Sequence, residues 1–210
     1  MAQCSSSGRK KAVICGISYK GCDDEIEGSV NDAMFVKYLL KNKYNFSNIF
    51  MLTEDETNFL KIPTRRNIMI AMKWLVKDCQ AGDSLVFFYS GHGVQEKDMD
   101  GDEIDGLDEA ICPLDYATEG MITDDEINET IVRPLPTGVK LHAIIDSCHS
   151  GTMLDLRYLC KMNRKGDYYW EDQRSKNSVW KGTMGGEVFA FSGCDDNQQS
   201  TDTKVKSAFN

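Results

Sequence analysis

Two short stretches carry residue types capable of covalent chemistry. "YSGHG" sets His92 between Gly91 and Gly93, and "DSCHSG" sets Cys148 and His149 ahead of Ser150 and Gly151. Each follows an apolar run, as at a strand end. A cysteine attacks as its thiolate, so a nucleophilic Cys148 requires a base or imidazolium reached through space. If the two strands are neighbours, His92 and Cys148 face one another across a cleft. Gly91 and Gly93 free the backbone beside the imidazole for a substrate, and Gly151 lets N–H groups converge on a developing oxyanion. Two plainer readings compete. Cys148 and His149 as a zinc pair are poor co-ligands, because adjacent residues on an extended strand point to opposite faces. Cys148 as merely one of eight cysteines is a small hydrophobe. Of the three histidines, His142 lies mid-strand and His149 should point away from Cys148, which leaves His92 as its partner.

The elements that must position these residues follow from apolar patterning. Strand-length runs rich in branched or aromatic residues occur at 12–17, 48–53, 83–91, 139–146 and 187–194. The third and fourth are nearly continuously apolar, as in strands covered on both faces. Residues 31–42 place Ala33, Val36, Leu39 and Leu40 on one stripe. Thr64 is placed to cap a helix carrying Ile68, Met72, Leu75, Val76 and Cys79. The β-α-β-α-β-β alternation predicts an α/β fold with a mostly parallel sheet and helices on both faces. In such sheets functional groups collect beyond the carboxyl ends of the strands, where His92 and Cys148 fall. Residues 161–186 are polar and basic and read as an exposed loop.

Composition narrows the function class. The 210 residues suit one domain with a full core; 41% are hydrophobic and 27% charged. No apolar run approaches the roughly 20 residues that span a bilayer, and the apolar run after the basic N-terminal segment is too short for a signal peptide. Scattered cysteines without a C-x-x-C pair read as reduced thiols of a cytosolic or nuclear protein. The net charge is −9, and residues 98–126 hold twelve Asp or Glu and no Lys or Arg. That balance argues against nucleic acid and for a cation or a basic substrate, although a charge run taken alone reads better as a solvated acidic loop. An EF-hand fails: Asp98, Asp100, Asp102 and Glu109 fit its positions, but Glu103 stands where the turn needs glycine.

"YSGHG" followed by "DSCHSG" resembles the histidine and cysteine signatures of the metacaspases. "AVICGISY", "GSVNDA", "GDEIDGLDEAICPLD", "ITDDEIN" and "FSGCDDNQQSTDT" fit the same family in order, so the resemblance covers residues 11–203 and is nearest to plant type I members. It implies a three-layer α/β/α caspase–haemoglobinase fold and a His92–Cys148 dyad. Cleavage is expected after Arg or Lys in protein or peptide substrates, by a monomer. Asp32, Ser90 and Asp146 match the basic-specific pocket, with Ser29 a weaker match. Asp146 lies two residues before Cys148, which on an extended strand puts both on one side; two carboxylates there would pair with a guanidinium or ammonium. An activating, non-catalytic Ca²⁺ site carries over as Asp108, Asp124, Asp125 and Asp155, although Asp124 and Asp125 also read as a helix cap.

The resemblance further implies self-processing in the basic segment, at Lys161, Arg164, Lys165, Arg174, Lys176 or Lys181. The expected organisation is a polar segment at 1–10, a catalytic p20-like region at 11–160, the basic linker at 161–186 and the start of a p10-like region at 187–210. Because family members continue further, the chain reads as short in that last region. Two functions are therefore expected: a calcium-dependent cysteine endopeptidase, or a catalytically weak homologue that binds partners.

Overall fold

The computed structural model describes residues 8–99, 101, 103, 106–163, 165–173 and 182–196. Along the chain run β1 (Lys10–Gly16), α1 (Ser29–Asn42), β2 (Asn48–Thr53), α2 (Arg65–Val76), β3 (Ser84–Ser90), β4 (Gly93–Lys97) and β5 (Leu107–Ile111). Then come α3 (Tyr116–Glu119), β6 (Ile122–Thr123), α4 (Asp124–Ile127), β7 (Lys140–Asp146), β8 (Tyr158–Met162), β9 (Tyr168–Asp172) and β10 (Glu187–Ser192). A wider helical turn, Asn128–Val132, continues α4.

β10, β7, β3, β1 and β2 form one sheet in that order, every pair parallel. All five are strands expected from the apolar runs. β3 and β7, which deliver the two motifs, are indeed neighbours. α1 covers one face through Ala33 and Leu40, over Ala12, Ile14, Val86 and Phe88. α2 and the α4 turn cover the other, where Ile68, Met72, Leu75, Ile127 and Ile131 pack on Val13, Cys15, Leu85, Phe87 and Leu141. This is the expected three-layer arrangement, each fully buried aliphatic or aromatic side chain contributing roughly 1.5–3 kcal/mol. Thr64 caps α2 as expected, its hydroxyl accepting from Asn67 N. No helix among the described residues is long and apolar enough to cross a membrane.

Two hairpin excursions depart from simple alternation. β4, β5 and β6, which lie between β3 and β7 in sequence only, form a separate antiparallel sheet that carries part of the acidic segment. β8 and β9 pair antiparallel where the sequence suggested an open basic loop. Cross-strand pairs of Cys160 with Trp170 and Met162 with Tyr168 join the strands, although charged residues surround these aromatics in sequence. β10 sits at the edge with Phe189 and Phe191 exposed, and His142 stacks on Phe189 at 5.5 Å between centroids.

Candidate active site

Parallel pairing sets the site. Gly16 is the register partner of Ser90, and Ser90 of Asp146, so the last residues of β1, β3 and β7 form a row across the sheet. His92 and Cys148 each lie two residues beyond that row, on adjacent chains. The ladder runs past the strand ends: Gly91 N donates to the Asp146 carbonyl at 3.3 Å and Ile17 N to the Ser90 carbonyl at 3.0 Å. Gly93 comes so near that a Cβ on it would lie 2.1 Å from the Cys148 carbonyl oxygen. The two chains touch only because residue 93 has no side chain.

Hydrogen bonds hold His92 from three sides. Its Nε2 lies 2.6 Å from the Asp24 carbonyl. A carbonyl only accepts, so Nε2 carries the proton and Nδ1 is left as the basic nitrogen. Its backbone N–H donates to the Tyr19 hydroxyl at 3.0 Å, and its carbonyl accepts from the Tyr89 hydroxyl at 2.8 Å. The Tyr19 ring packs 4.5 Å from the imidazole. Burial pushes both phenols well above their ordinary values, so they remain neutral donors.

The expected pocket residues share one end and one face of the sheet. Ser90 and Asp146 follow Phe88 and Ile144 at the two-residue period, which puts them on the face that α1 covers. The first turn of α1 seats against Gly16, where a Cβ would meet the Ser29 carbonyl at 2.5 Å. Asp32 stands in that turn, exposed, and Asp146 is exposed at its strand end, while Ser90 and Ser29 are buried. The alternation used to place Cys148 beside Asp146 does not apply, because β7 stops at Asp146. Cys148 sits in a turn whose next residue, His149, has φ 51°, a backbone state uncommon outside glycine.

Of the four aspartates expected to hold calcium, Asp124 and Asp155 come together. Among the described residues, Glu103 groups with them, one carboxylate oxygen of each lying within 4.8 Å of the others. Asp108 and Asp125 are not members of that trio. They are chain neighbours of Glu109 and Asp124, which bond to each other through Glu109 N and Asp124 Oδ2 at 2.9 Å. Thr123 caps α4 in a capping box with Glu126, so the cap suggested for Asp124 and Asp125 is made one residue earlier. Burial pushes the Asp124 carboxyl up to about 8 and that of Glu109 to about 7. Such buried carboxyls need protons or a hard cation, and an all-oxygen set suits calcium. Glu103 and Glu109 were read only within the acidic run and the rejected EF-hand match, while Tyr19 and the Asp24 carbonyl gave no chemical signal.

Lys161, a suggested self-cleavage position, lies in β8 with its ammonium 3.2 Å from Glu171 and 3.0 Å from Asp195. Lys165 is exposed in the β8–β9 turn. Arg164, Arg174, Lys176 and Lys181 lie outside the described residues. A cavity of about 330 Å³ beside this hairpin is lined by residues including Glu103, Glu109, Thr152, Lys161 and Asp196.

Comparison with known proteins places the site in a family. "Metacaspase-1" of Arabidopsis thaliana is 60% identical over 202 residues, which are 95% of this chain and 55% of that protein. "Metacaspase-3" of the same plant is 54% identical, over 96% of this chain and 56% of its own length. "Metacaspase-1" of Saccharomyces cerevisiae is 50% identical over 159 residues, 75% of this chain and 36% of the yeast protein. The chain thus spans about half the length, or less, of these curated relatives. A solved structure of protein GSU0716 from Geobacter sulfurreducens superimposes with a TM-score of 0.65 at 25% identity, covering 96% of this chain and 78% of that one. The fold is caspase-like. The model of the "Metacaspase, peptidase C14 domain" matches residues 10–157, from the first strand to just past the Cys148 turn, and the chain belongs to that family.

Proposed function

We propose that the chain carries the catalytic region of a calcium-regulated cysteine endopeptidase that cleaves after Arg or Lys. The observation that carries this reading is the Ser90–Asp146 register, with His92 and Cys148 two residues beyond it and Gly93 against the Cys148 carbonyl. His92 Nδ1 takes the Cys148 thiol proton, and the thiolate attacks the scissile carbonyl. Backbone N–H groups of the Cys148 turn receive the charge that develops on the carbonyl oxygen. The imidazolium returns its proton to the leaving amine, and water then releases the acyl group from sulfur. Asp32 and Asp146 pair with the substrate's guanidinium or ammonium, beside the Ser90 wall, and reject an acidic side chain.

Glu103, Asp124 and Asp155, with Asp108 and Asp125 adjoining, are the residues to hold calcium. When bound, the ion offsets their mutual repulsion and orders the acidic segment. The same specificity makes exposed Lys165 a better self-cleavage position than Lys161, which a strand ladder and two ion pairs hold.

A purified sample tests the reading with fluorogenic peptides bearing Arg or Asp before the scissile bond, with calcium and with chelator. Turnover of the Arg peptide alone, dependent on calcium, is the expected result. A folded sample without Arg-peptide turnover overturns the peptidase reading. It would favour a partner-binding homologue.

The carboxyl shifts give a pH signature. A carboxyl with a raised folded pKa binds more protons folded than unfolded between its ordinary value near 4 and its raised value. In chelator, the contribution of Asp124 and Glu109 to stability therefore falls as pH rises through about 4 to about 8. A bound cation replaces the protons, so calcium should raise the melting temperature more at pH 8 than at pH 5. Equal shifts at both values in scanning fluorimetry count against the site.

A further inference from the structure

The turn after Cys148 is clasped from outside its own strand. Residues 193–196 run alongside it. Gly193 N donates to the Ile145 carbonyl at 3.0 Å and Cys194 Sγ to the Ser147 carbonyl at 3.2 Å. Asp196 then makes two bonds to the turn itself. Its carbonyl accepts from His149 Nδ1, and its Oδ1 accepts from Thr152 N at 2.9 Å. The carboxylate also packs on the bare Cα of Gly151, where a Cβ would lie 2.7 Å from Oδ1. Asp196 thus spans both sides of the turn, from His149 to Thr152. Its neighbour Asp195 is anchored by Lys161 of the β8–β9 hairpin.

We infer that Asp196 is a positioning residue for the nucleophile, holding the Cys148 turn and its backbone N–H groups in the geometry that attack requires. The role rests on the peptidase reading above. A four-residue turn with His149 at positive φ has no ladder of its own, and one displaced by about 1 Å loses of order 10²-fold in rate. The side chain acts as a hydrogen-bond acceptor, so charge is not what the role needs. It touches the turn and not the substrate, so it governs kcat and leaves KM alone.

The test compares Asp196→Ala with Asp196→Asn, whose amide oxygen still accepts from Thr152 N–H. Kinetics on an Arg peptide are read beside the rate of Cys148 alkylation by iodoacetamide. Mass spectrometry follows the tryptic peptide 141–157, in which Cys148 is the sole cysteine. The alanine variant should lose about 10- to 100-fold in kcat with KM within about twofold, and its alkylation should slow. The asparagine variant should stay within about threefold of wild type on both measures. Wild-type kcat and alkylation in the alanine variant overturn the proposal, as does equal loss in both variants.

If Asp196→Ala does not fold, Gly151→Ala disturbs the same clasp by pressing a methyl on Oδ1. It should show the same kcat-only loss and slowed alkylation, and wild-type behaviour there overturns the proposal. If wild type turns over no peptide, the peptidase reading fails, while the alkylation comparison still decides whether Asp196 positions Cys148.

Discussion

Cys148→Ala protein, folded and supplied with calcium, will hydrolyse an Arg peptide at background, a loss of at least about 10³-fold. His92→Ala will approach the same floor, because residues acting as one unit do not add their effects. Removing the sulfur removes the atom that forms the acyl intermediate. Removing the imidazole leaves a thiol without the base that makes it a thiolate and without an acid for the leaving amine. The Asp24 carbonyl sharpens the second expectation. It fixes the proton on Nε2, so His92→Gln places an amide where a basic Nδ1 is needed and should fail as well. Neither change touches the packed layers, so melting temperatures should stay close to wild type. Self-cleavage within residues 161–186 should vanish in Cys148→Ala and return when active protein is added. Activity within tenfold of wild type in Cys148→Ala would assign the chemistry to another residue.

Gly93→Ala should be nearly as damaging, with at least about 10²-fold lost in kcat/KM. The added methyl carbon would sit 2.1 Å from the Cys148 carbonyl oxygen and 2.8 Å from Ser147 Oγ. Ser147 can rotate its hydroxyl, but a backbone carbonyl cannot yield without carrying Cys148 along. Relief therefore separates the β3 end from the β7 end, and with them His92 from Cys148. Circular dichroism establishes that the variant is folded, and kinetics on the Arg peptide give the loss. A folded Gly93→Ala protein within threefold of wild type would mean that the two chain ends need not touch for activity.

The sheet was largely legible because its strands write themselves as apolar runs, most plainly β1 and β3, which are buried on both faces. "SLVFFYS" and "KLHAIID" were found within about a residue of their ends. The Thr64 cap and its helix stripe were legible for the same local reason. The β8–β9 hairpin was not, since its aromatic run Tyr168, Tyr169 and Trp170 is short, exposed and set among charged residues, without the alternation of a half-buried strand. The β7 alternation was carried two residues too far, to Cys148, because a strand end is set by where pairing stops. Glu103 read as part of an acidic run and as the residue that spoils an EF-hand, and folding brought it to Asp124 and Asp155.

By itself the sequence determined the residue types that chemistry needs and the strand tips that present them. Apolar periodicity, glycine and a nucleophile–base pair are local statements that a linear chain can carry. Tertiary structure alone decided which groups meet. The Asp24 carbonyl reaches His92 across 68 residues, and Asp196 reaches Thr152 across 44. Backbone carbonyls and N–H groups are the same at every position, so no residue type announces them. Only the fold, which lays the loops around Asp24 and Asp196 against the ends of β3 and β7, brings these groups to His92 and the Cys148 turn.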